Sequence, residues 1–483
     1  MRNITVGCRR DTYADNLKWI YVMPEQLRCI LIDPPVLPVN VSAGQGIEDA
    51  HRQDSSYPPV GLAYLAAVLK QKGVPVNIID AKSLALSHDE VINMVMAEEP
   101  EVVGVTVFTT QLRSALNLCR EIKELFPSTI VVVGGPHIHF EHESLIRKPF
   151  IDFCVRGEGE YALSELIDAL ANGRSLNKIR GLTFRSGETV VVNSDRPPIS
   201  GLDVLPFPAR ELLPENTYKA IIGNGEKKRF AAVTATRGCQ FRCRFCSVPR
   251  LWPTQRRRSA ANVLDELERI YAVNEITNIR FTDENLSLNK QWLTTLCQGM
   301  IDRGLSDKMA WSCDSRVDTI SEDILSKMRK ANCRVVFYGI EFGDQSILDF
   351  SGKGTTLGQI HRAVEMTRNA DILPHGNFMI GYPTENHKTI ERTIELARIL
   401  DLDEATFSIV TPFPGTDLFD YCKNQGLLKT DNWEEFNMFN PRDGTIRLDA
   451  VPGEELMNLY KRARYAFNFK YIKEEFEQEL ANF

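Results

Sequence analysis

The sequence predicts an α/β protein built from two consecutive units. The first is a doubly wound, Rossmann-like parallel sheet over residues 28–170; the second is a (βα)6 partial TIM barrel over residues 229–430, followed by a helical tail. Three observations predict it. Short β-branched runs alternate with helical apolar periods through both stretches, the pattern of parallel strands buried on both faces. Residues 171–228, rich in turn signals and prolines, separate them. And at 483 residues the chain exceeds the roughly 250–300 that one hydrophobic core serves.

Residues 1–27 read as an N-terminal extension; Met1–Asp15 carries arginines at 2, 9 and 10 with no apolar stretch behind them, which argues against secretion. The first unit then runs strand Arg28–Asp33, a Pro-rich loop, helix Pro59–Lys72, strand Val76–Asp80, helix Asp89–Glu98 and strand Val102–Val107. It continues with helix Leu112–Leu125, strand Thr129–Gly134 and a last strand–helix unit from Ile151 to Leu170. Ligands of such sheets bind beyond the carboxyl ends of the strands, here the loops Asp33–Pro38, Thr106–Thr110 and Gly134–His139. Residues 171–228 read as a linker with a hairpin-like Leu182–Val192 inside it. The barrel's strands are expected at Phe230–Thr236, Asn278–Thr282, Met309–Cys313, Arg334–Ile340, Pro374–Ile380 and Ala405–Thr411, each of the first five followed by a helix, with functional residues at their C-terminal ends. Residues 431–483 read as a tail that is amphipathic helix from Gly453 to Glu479.

Composition fits a packed enzyme. Hydrophobic residues make up 43% and charged residues 25%, and the net charge of −7 argues against a chain built to coat nucleic acid. No apolar run reaches the ~20 residues of a membrane span. The cysteines number eleven and are mostly scattered singly, which suits reduced thiols in a cytoplasmic protein, here read as a monomer.

One group is closely spaced. Gly238-Cys239-Gln240-Phe241-Arg242-Cys243-Arg244-Phe245-Cys246 places cysteines as C-x3-C-x2-C directly after the first barrel strand. Three thiolates can bind three irons of a cubane, and no fourth cysteine follows between residues 247 and 296, so one iron stays open for an exogenous ligand. A structural zinc normally takes four protein ligands, and there is no histidine between Cys243 and His361 to supply one. Arg237, Arg242 and Arg244 make the loop neither apolar nor inert. Cys297, Cys313, Cys333 and Cys422 have no partner spacing and are expected in or near the core.

The segment resembles the radical S-adenosylmethionine (SAM) superfamily, whose signature is this spacing with an aromatic residue, here Phe245, before the third cysteine. The resemblance implies a [4Fe–4S] cluster on Cys239, Cys243 and Cys246, with SAM chelated to the open iron and cleaved by one electron to a 5′-deoxyadenosyl radical. It also implies SAM contacts at the strand ends, from Phe245, Asp283, Glu284, Asn285, Ser312, Arg316, Gly339, Glu341 and Gly381. Thr282-Asp283-Glu284-Asn285 departs from the Gly-Gly-Glu of many relatives, while Gly339-Ile340-Glu341 and Pro414-Gly415-Thr416 resemble family segments.

Tyr57-Pro58-Pro59-Val60-Gly61, Val133-Gly134-Gly135-Pro136-His137 and Gly157-Glu158-Gly159-Glu160 resemble the cobalamin-binding radical SAM subfamily. That implies a cobalamin-binding first domain, with Pro59, Gly61, Thr106, Thr109, Thr110, Gly134, Gly135, Gly157 and Glu158 as its contacts. A dinucleotide reading lacks its G-x-G-x-x-G. The Asp-x-His-x-x-Gly that supplies a histidine to cobalt is also absent, so no histidine ligand is expected from Asp33–Pro38, and His137 and His139 are left unassigned. The implied activity is methylation of an unactivated carbon of a small-molecule or lipid substrate, with an external electron donor such as flavodoxin or ferredoxin. The alternatives are cobalamin-dependent rearrangement or oxidative cyclisation, an RNA-modifying methylthiotransferase, and a cobalamin-sensing binding protein. Arg256-Arg257-Arg258 and Lys227-Lys228-Arg229 read either as phosphate or RNA contacts or as internal ion pairs.

Overall fold

A computed structural model of the protein describes residues 27–35, 57–221, 227–436 and 444–465. The loop positions Val36–Pro38, most of the N-terminal extension and the helical tail beyond residue 465 lie outside these residues. The front sheet contains β1 (Cys29–Asp33), β2 (Val76–Asp80), β3 (Val102–Thr106), β4 (Ile130–Gly134), β5 (Phe153–Val155), β6 (Leu182–Ser186) and β7 (Thr189–Val192), in the order β2-β1-β3-β4-β5-β6-β7. The first five are parallel; β6 and β7 add antiparallel at the edge. The hairpin expected inside a linker is therefore an extension of the front sheet. Its β-branched run Thr189–Val192 finds a ladder partner in β6, where a free-standing hairpin would have little to bury against.

Helices cover both faces, as the double apolar character of the strands requires. Helices Val60–Gln71 and Gly159–Ala171 lie on one side; His88–Glu98, Leu112–Leu125 and Pro136–Leu145 lie on the other. The strand order reverses between β1 and β3, and the crevice beyond their carboxyl ends is where a ligand of this fold sits.

A short hairpin, β8 (Lys219–Ile221) and β9 (Lys227–Arg229), precedes the second unit. There β10 (Ala231–Val233), β13 (Asn278–Phe281), β14 (Ala310–Ser315), β15 (Cys333–Glu341), β16 (Leu373–Ile380) and β17 (Glu404–Ile409) form one all-parallel sheet in chain order, an open six-stranded barrel. Two residues each, β11 (Thr236–Arg237) and β12 (Arg256–Arg257), pair separately. The isolated cysteines 297, 313, 333 and 422 are buried, as expected of small hydrophobic side chains.

The two units share more than a linker. Ala231 and Val233 of β10 face the barrel core, whereas Phe230 and Ala232 belong to the core of the front domain, so one strand's alternation serves both. Ile199, Leu202, Leu205, Ala209, Leu213 and Tyr218, all from the stretch read as linker, pack into that front core. The tail is likewise structural. Its helix over residues 453–465 places Leu456, Leu459, Tyr460 and Ala463 in the barrel core.

Candidate functional site

The cysteine loop is built on a narrow base. After β10 the chain passes through β11, which pairs antiparallel with β12, so the 18 residues between them form a closed loop carrying all three cysteines. Gly238 opens it at φ +95°, and a Cβ there would press within 2.9 Å of the Trp252 carbonyl oxygen, so the turn admits only glycine. Three backbone bonds pin the loop: Cys239 N–H to Trp252 O at 3.2 Å, Arg244 N–H to Ser351 O at 2.9 Å, and Leu418 N–H to Arg244 O at 2.8 Å. The three thiols remain half-buried. Among the described residues no three His, Cys, Asp or Glu side chains surround a point where a single ion would sit. A cubane asks for something else, one thiolate for each of three irons at separate corners.

Positive charge surrounds Cys243. Arg316 is buried, its Nη1 lies 3.8 Å from the Cys243 Sγ, and its guanidinium stacks over Phe241 at 3.6 Å. Its Nη2 also donates to the Lys353 carbonyl at 2.7 Å. Lys353, buried in turn, pairs with Glu341 at 2.8 Å. Burial pushes the Cys243 thiol up, while Lys353 and Arg316 favour its thiolate. Glu341 sits at φ +70°, where β15 shifts register against β16. Gly339 leaves the room this pair occupies, since a Cβ there would lie 2.8 Å from the Lys353 ammonium. Arg316, Gly339 and Glu341 thus gather around Cys243, and Phe245 packs edge-on against Phe342 at 6.5 Å. Lys353 carries no sequence signal of its own: it lies 12 residues beyond Glu341 in a Gly-Lys-Gly turn with no motif.

The other expected SAM contacts fall differently. Asp283 is fully buried, accepting from the Thr236 N–H and, at 3.4 Å, from the Ala235 N–H; burial pushes its pKa up to about 7. Glu284 accepts from Gly238 N–H at 3.2 Å. Both carboxylates therefore tie down the base of the cysteine loop. Asn285 accepts from Ser287 and Thr319 at 3.1 and 3.2 Å, leaving its buried Nδ2 without a partner. Ser312 is buried within β14, and it is Ser315 that reaches the strand end, sharing hydrogen bonds with Ser287 and Thr319. Gly381, at φ +91°, turns its open side to Leu456 of the tail helix, 3.2 Å from where a Cβ would stand.

Beside Gly381, Glu385 is fully buried. Its Oε2 accepts from the N–H groups of Gly381 and Tyr382 at 2.7 and 2.9 Å, and its Oε1 has no partner. Burial pushes its pKa up to about 8. A carboxyl raised in the fold is neutral there but ionises on unfolding, so its contribution to stability falls as pH rises from the usual carboxylate range to about 8 and is level above that. Glu385→Gln keeps the accepting oxygen and removes the titration. It is expected to flatten that decline in denaturation midpoints measured from pH 5 to pH 9; a parallel decline in the variant would refute the assignment.

At the front sheet's strand ends, Gly135 takes φ +105°, and a Cβ there would stand 2.9 Å from both the N and O of Val107 and 3.0 Å from the Thr106 hydroxyl. The chain after β4 thus lies directly against the chain after β3. The expected loop Gly134–His139 turns at once into helix Pro136–Leu145, with proline at its first position. Thr109 Oγ1 is 3.0 Å from His137 Nδ1, while the Nε2 of His137 is buried without a partner, and burial lowers the pKa of that ring to about 4. Trp433 meets the same ring edge-on at 5.9 Å. Thr110 and the aromatic ring of Phe108 are exposed beside them. Pro59 caps the first helix, and Gly61 and Gly157 face open space.

Glu158 does not join this group. Its two oxygens accept from Arg256 at 2.9 Å each, from Arg237 at 3.1 Å and from the Ile199 N–H at 2.6 Å, which fills its acceptor positions and leaves none for a cofactor. Glu160 takes the other end of Arg237 at 2.7 Å. Burial alone would raise the Glu158 pKa; Arg256 and Arg237 hold it below the usual carboxylate range. Arg258, buried, pairs with Glu266 and meets the Tyr64 hydroxyl at 3.3 Å. Two arginines of the Arg256–Arg258 run are therefore internal ion-pair partners, not a phosphate-binding face. They join the Gly157–Glu160 turn and the first helix of the front domain to the base of the cysteine loop.

Comparison with known proteins agrees with this architecture. Residues 52–167 match the B12 binding domain and residues 233–397 the radical SAM superfamily. An uncharacterized methyltransferase of Pyrococcus horikoshii is 34% identical over 87% of this chain and 90% of its own length. The chain belongs to the B12-binding radical SAM enzymes. An anaerobic magnesium-protoporphyrin IX monomethyl ester cyclase of Rubrivivax gelatinosus, another relative of this radical SAM enzyme, is 30% identical over 88% of this chain and 76% of its own. The fold is that of the radical SAM methyltransferase TsrM from Kitasatospora setae with cobalamin and [4Fe–4S] cluster bound, at TM-score 0.67 and 20% identity, covering 91% and 85% of the two chains. It is also that of the cobalamin-dependent radical enzyme OxsB, at TM-score 0.69 and 16% identity over 88% and 65%.

The cofactors of this radical SAM family are a [4Fe–4S] cluster, SAM and cobalamin, and the residues present fit each of them. Three thiols on one glycine-hinged loop with Arg316 and Lys353 behind them suit an anionic cluster. The unpartnered Asn285 Nδ2 is a buried donor at a barrel strand end, where SAM would lie. The unpartnered His137 Nε2, the glycine approach at 135 and the exposed Phe108 ring suit a large, amide-rimmed macrocycle at the front strand ends. Among the described residues no helix is long and apolar enough to cross a membrane.

Proposed function

We propose that this enzyme methylates an unactivated carbon of a small-molecule or lipid substrate, drawing its electron from an external donor in the cytoplasm. The observation that carries the reading is the buried lock of Glu158 and Glu160 on Arg237 and Arg256. It fixes the base of the cysteine loop to the domain that would hold cobalamin. When bound, the cluster with SAM supplies hydrogen-atom abstraction, and cobalamin supplies a transferable methyl group.

The chain's own residues position and shield these groups. Cys239, Cys243 and Cys246 would hold three irons; Arg316 and Lys353 would balance their charge; Asp283 and Glu284 keep the loop's base in register. Asn285 offers SAM a donor at the end of β13 and Glu341 an acceptor at the end of β15. Thr106, Thr109, Gly135 and His137 would line the cobalamin side. Leu456 and its neighbours in the tail close the barrel beside Gly381 against water.

Enzyme reconstituted anaerobically with iron, sulfide and cobalamin, then given SAM, a reductant and host extract, is expected to yield 5′-deoxyadenosine, S-adenosylhomocysteine and a product heavier by one methyl group. Deoxyadenosine without S-adenosylhomocysteine would overturn methylation. It would favour the second reading, oxidative cyclisation, which the 30% identity to the cyclase of Rubrivivax gelatinosus keeps in view.

A further inference from the structure

We propose that the outer face of the cysteine loop, presented by Arg242 and Arg244, is the docking surface for a small acidic one-electron carrier protein; this rests on the radical SAM chemistry above. The chain is acidic overall at −7, yet this loop is dense in arginine. Of the arginines in and around it, most are spent internally. Arg237, Arg256, Arg258 and Arg316 are at least half-buried and ion-paired, and Arg250, though exposed, is held by Asp417 and Asp420 at 2.5 and 2.7 Å.

Arg242 and Arg244 differ. Both are exposed, and neither makes an ion pair among the described residues. The Arg244 guanidinium lies over the Phe350 ring at 4.8 Å from its centroid, which orders the side chain and leaves its charge unneutralised. The two flank Cys243 in sequence, and Cys243 and Cys246 both line a cavity of about 270 Å³. Every residue of its wall lies between 240 and 253 or is Asp417, and none comes from the front domain. The cluster cysteines can therefore be approached without passing between the domains, where cobalamin and substrate would meet.

Chemistry supplies the occupant. The cluster must gain one electron for each SAM cleaved, and electron transfer through protein weakens steeply with distance, so the donor must dock beside the sulfurs. One electron leaves the reduced carrier, which is oxidised by one, and enters the cluster, which passes from its 2+ to its 1+ state; no group moves. Two unpaired arginines attract an acidic carrier and speed its encounter, an effect that salt screens.

The test compares two reductants on holoenzyme, following 5′-deoxyadenosine: dithionite, and an acidic flavodoxin kept reduced by NADPH and its reductase. R242E/R244E is expected to lower kcat/KM for flavodoxin at least ten-fold and to abolish its dependence on ionic strength, with the dithionite rate within two-fold of the parent. Arg257→Glu, at an exposed arginine outside this face, is the control and is expected to change neither. Should the double reversal fail to assemble a cluster, R242Q/R244Q removes the charge without adding any, and the same split decides. A flavodoxin-driven rate unchanged in the variant, or equal losses with both reductants, would overturn the proposal. Failure of the parent enzyme with dithionite would instead overturn the radical SAM reading beneath it.

Discussion

Cys243→Ala is expected to remove the [4Fe–4S] absorption of the reconstituted protein and reduce 5′-deoxyadenosine formation to background, with the far-ultraviolet circular dichroism unchanged. The fold survives because the loop is held by backbone bonds at Cys239, Arg244 and Leu418 and by the carboxylates of Asp283 and Glu284, and because the thiol itself is only half-buried. The activity does not survive, since two thiolates leave two irons without protein ligands and none of the other cysteines lies in the loop. A variant that kept its iron–sulfur spectrum would mean the cluster sits elsewhere.

Glu158→Ala is expected to destabilise the protein by about 3–5 kcal/mol, because it leaves two guanidinium groups buried with a lost partner. Arg256 would lose its bidentate acceptor, and Arg237 would keep Glu160 alone. Chemical denaturation would read this as a lower midpoint, and the first phase should report the separation of the two domains. Glu158→Gln keeps the acceptor geometry for Ile199 and is expected to cost less. If Glu158→Ala lowers the unfolding free energy by under about 1 kcal/mol, the contact is an exposed pair in solution and not the buried lock described here.

Local features were legible. The front sheet's β1 to β4 follow from short β-branched runs of five residues, and the cysteine loop from its spacing after the first barrel strand. What escaped depends on partners far along the chain. Glu158 reads as a glycine-flanked contact for a cofactor, and the Arg256–Arg258 run as either a phosphate contact or an internal ion-pair partner; only folding shows that residues 98 positions apart neutralise each other. Leu182–Val192 looked like linker because edge strands in antiparallel pairs need a neighbouring sheet before their alternation means anything. Helix Pro136–Leu145 was hidden by three histidines that blur its apolar period, although proline after a glycine pair was a usable start signal. Gly381, expected among the SAM contacts, turns its open side to Leu456, a contact no pattern within the strand could announce.

The tail helix has a bearing on how the protein comes into being. Leu456, Leu459, Tyr460 and Ala463 belong to the same core as β10 and β13–β17, yet they are synthesised more than fifty residues after the last barrel strand begins. On the ribosome the six strands can assemble first, with the side of Gly381 and Ile409 still uncovered. The interval before the tail emerges is a period in which the half-finished barrel is wider open than the finished enzyme.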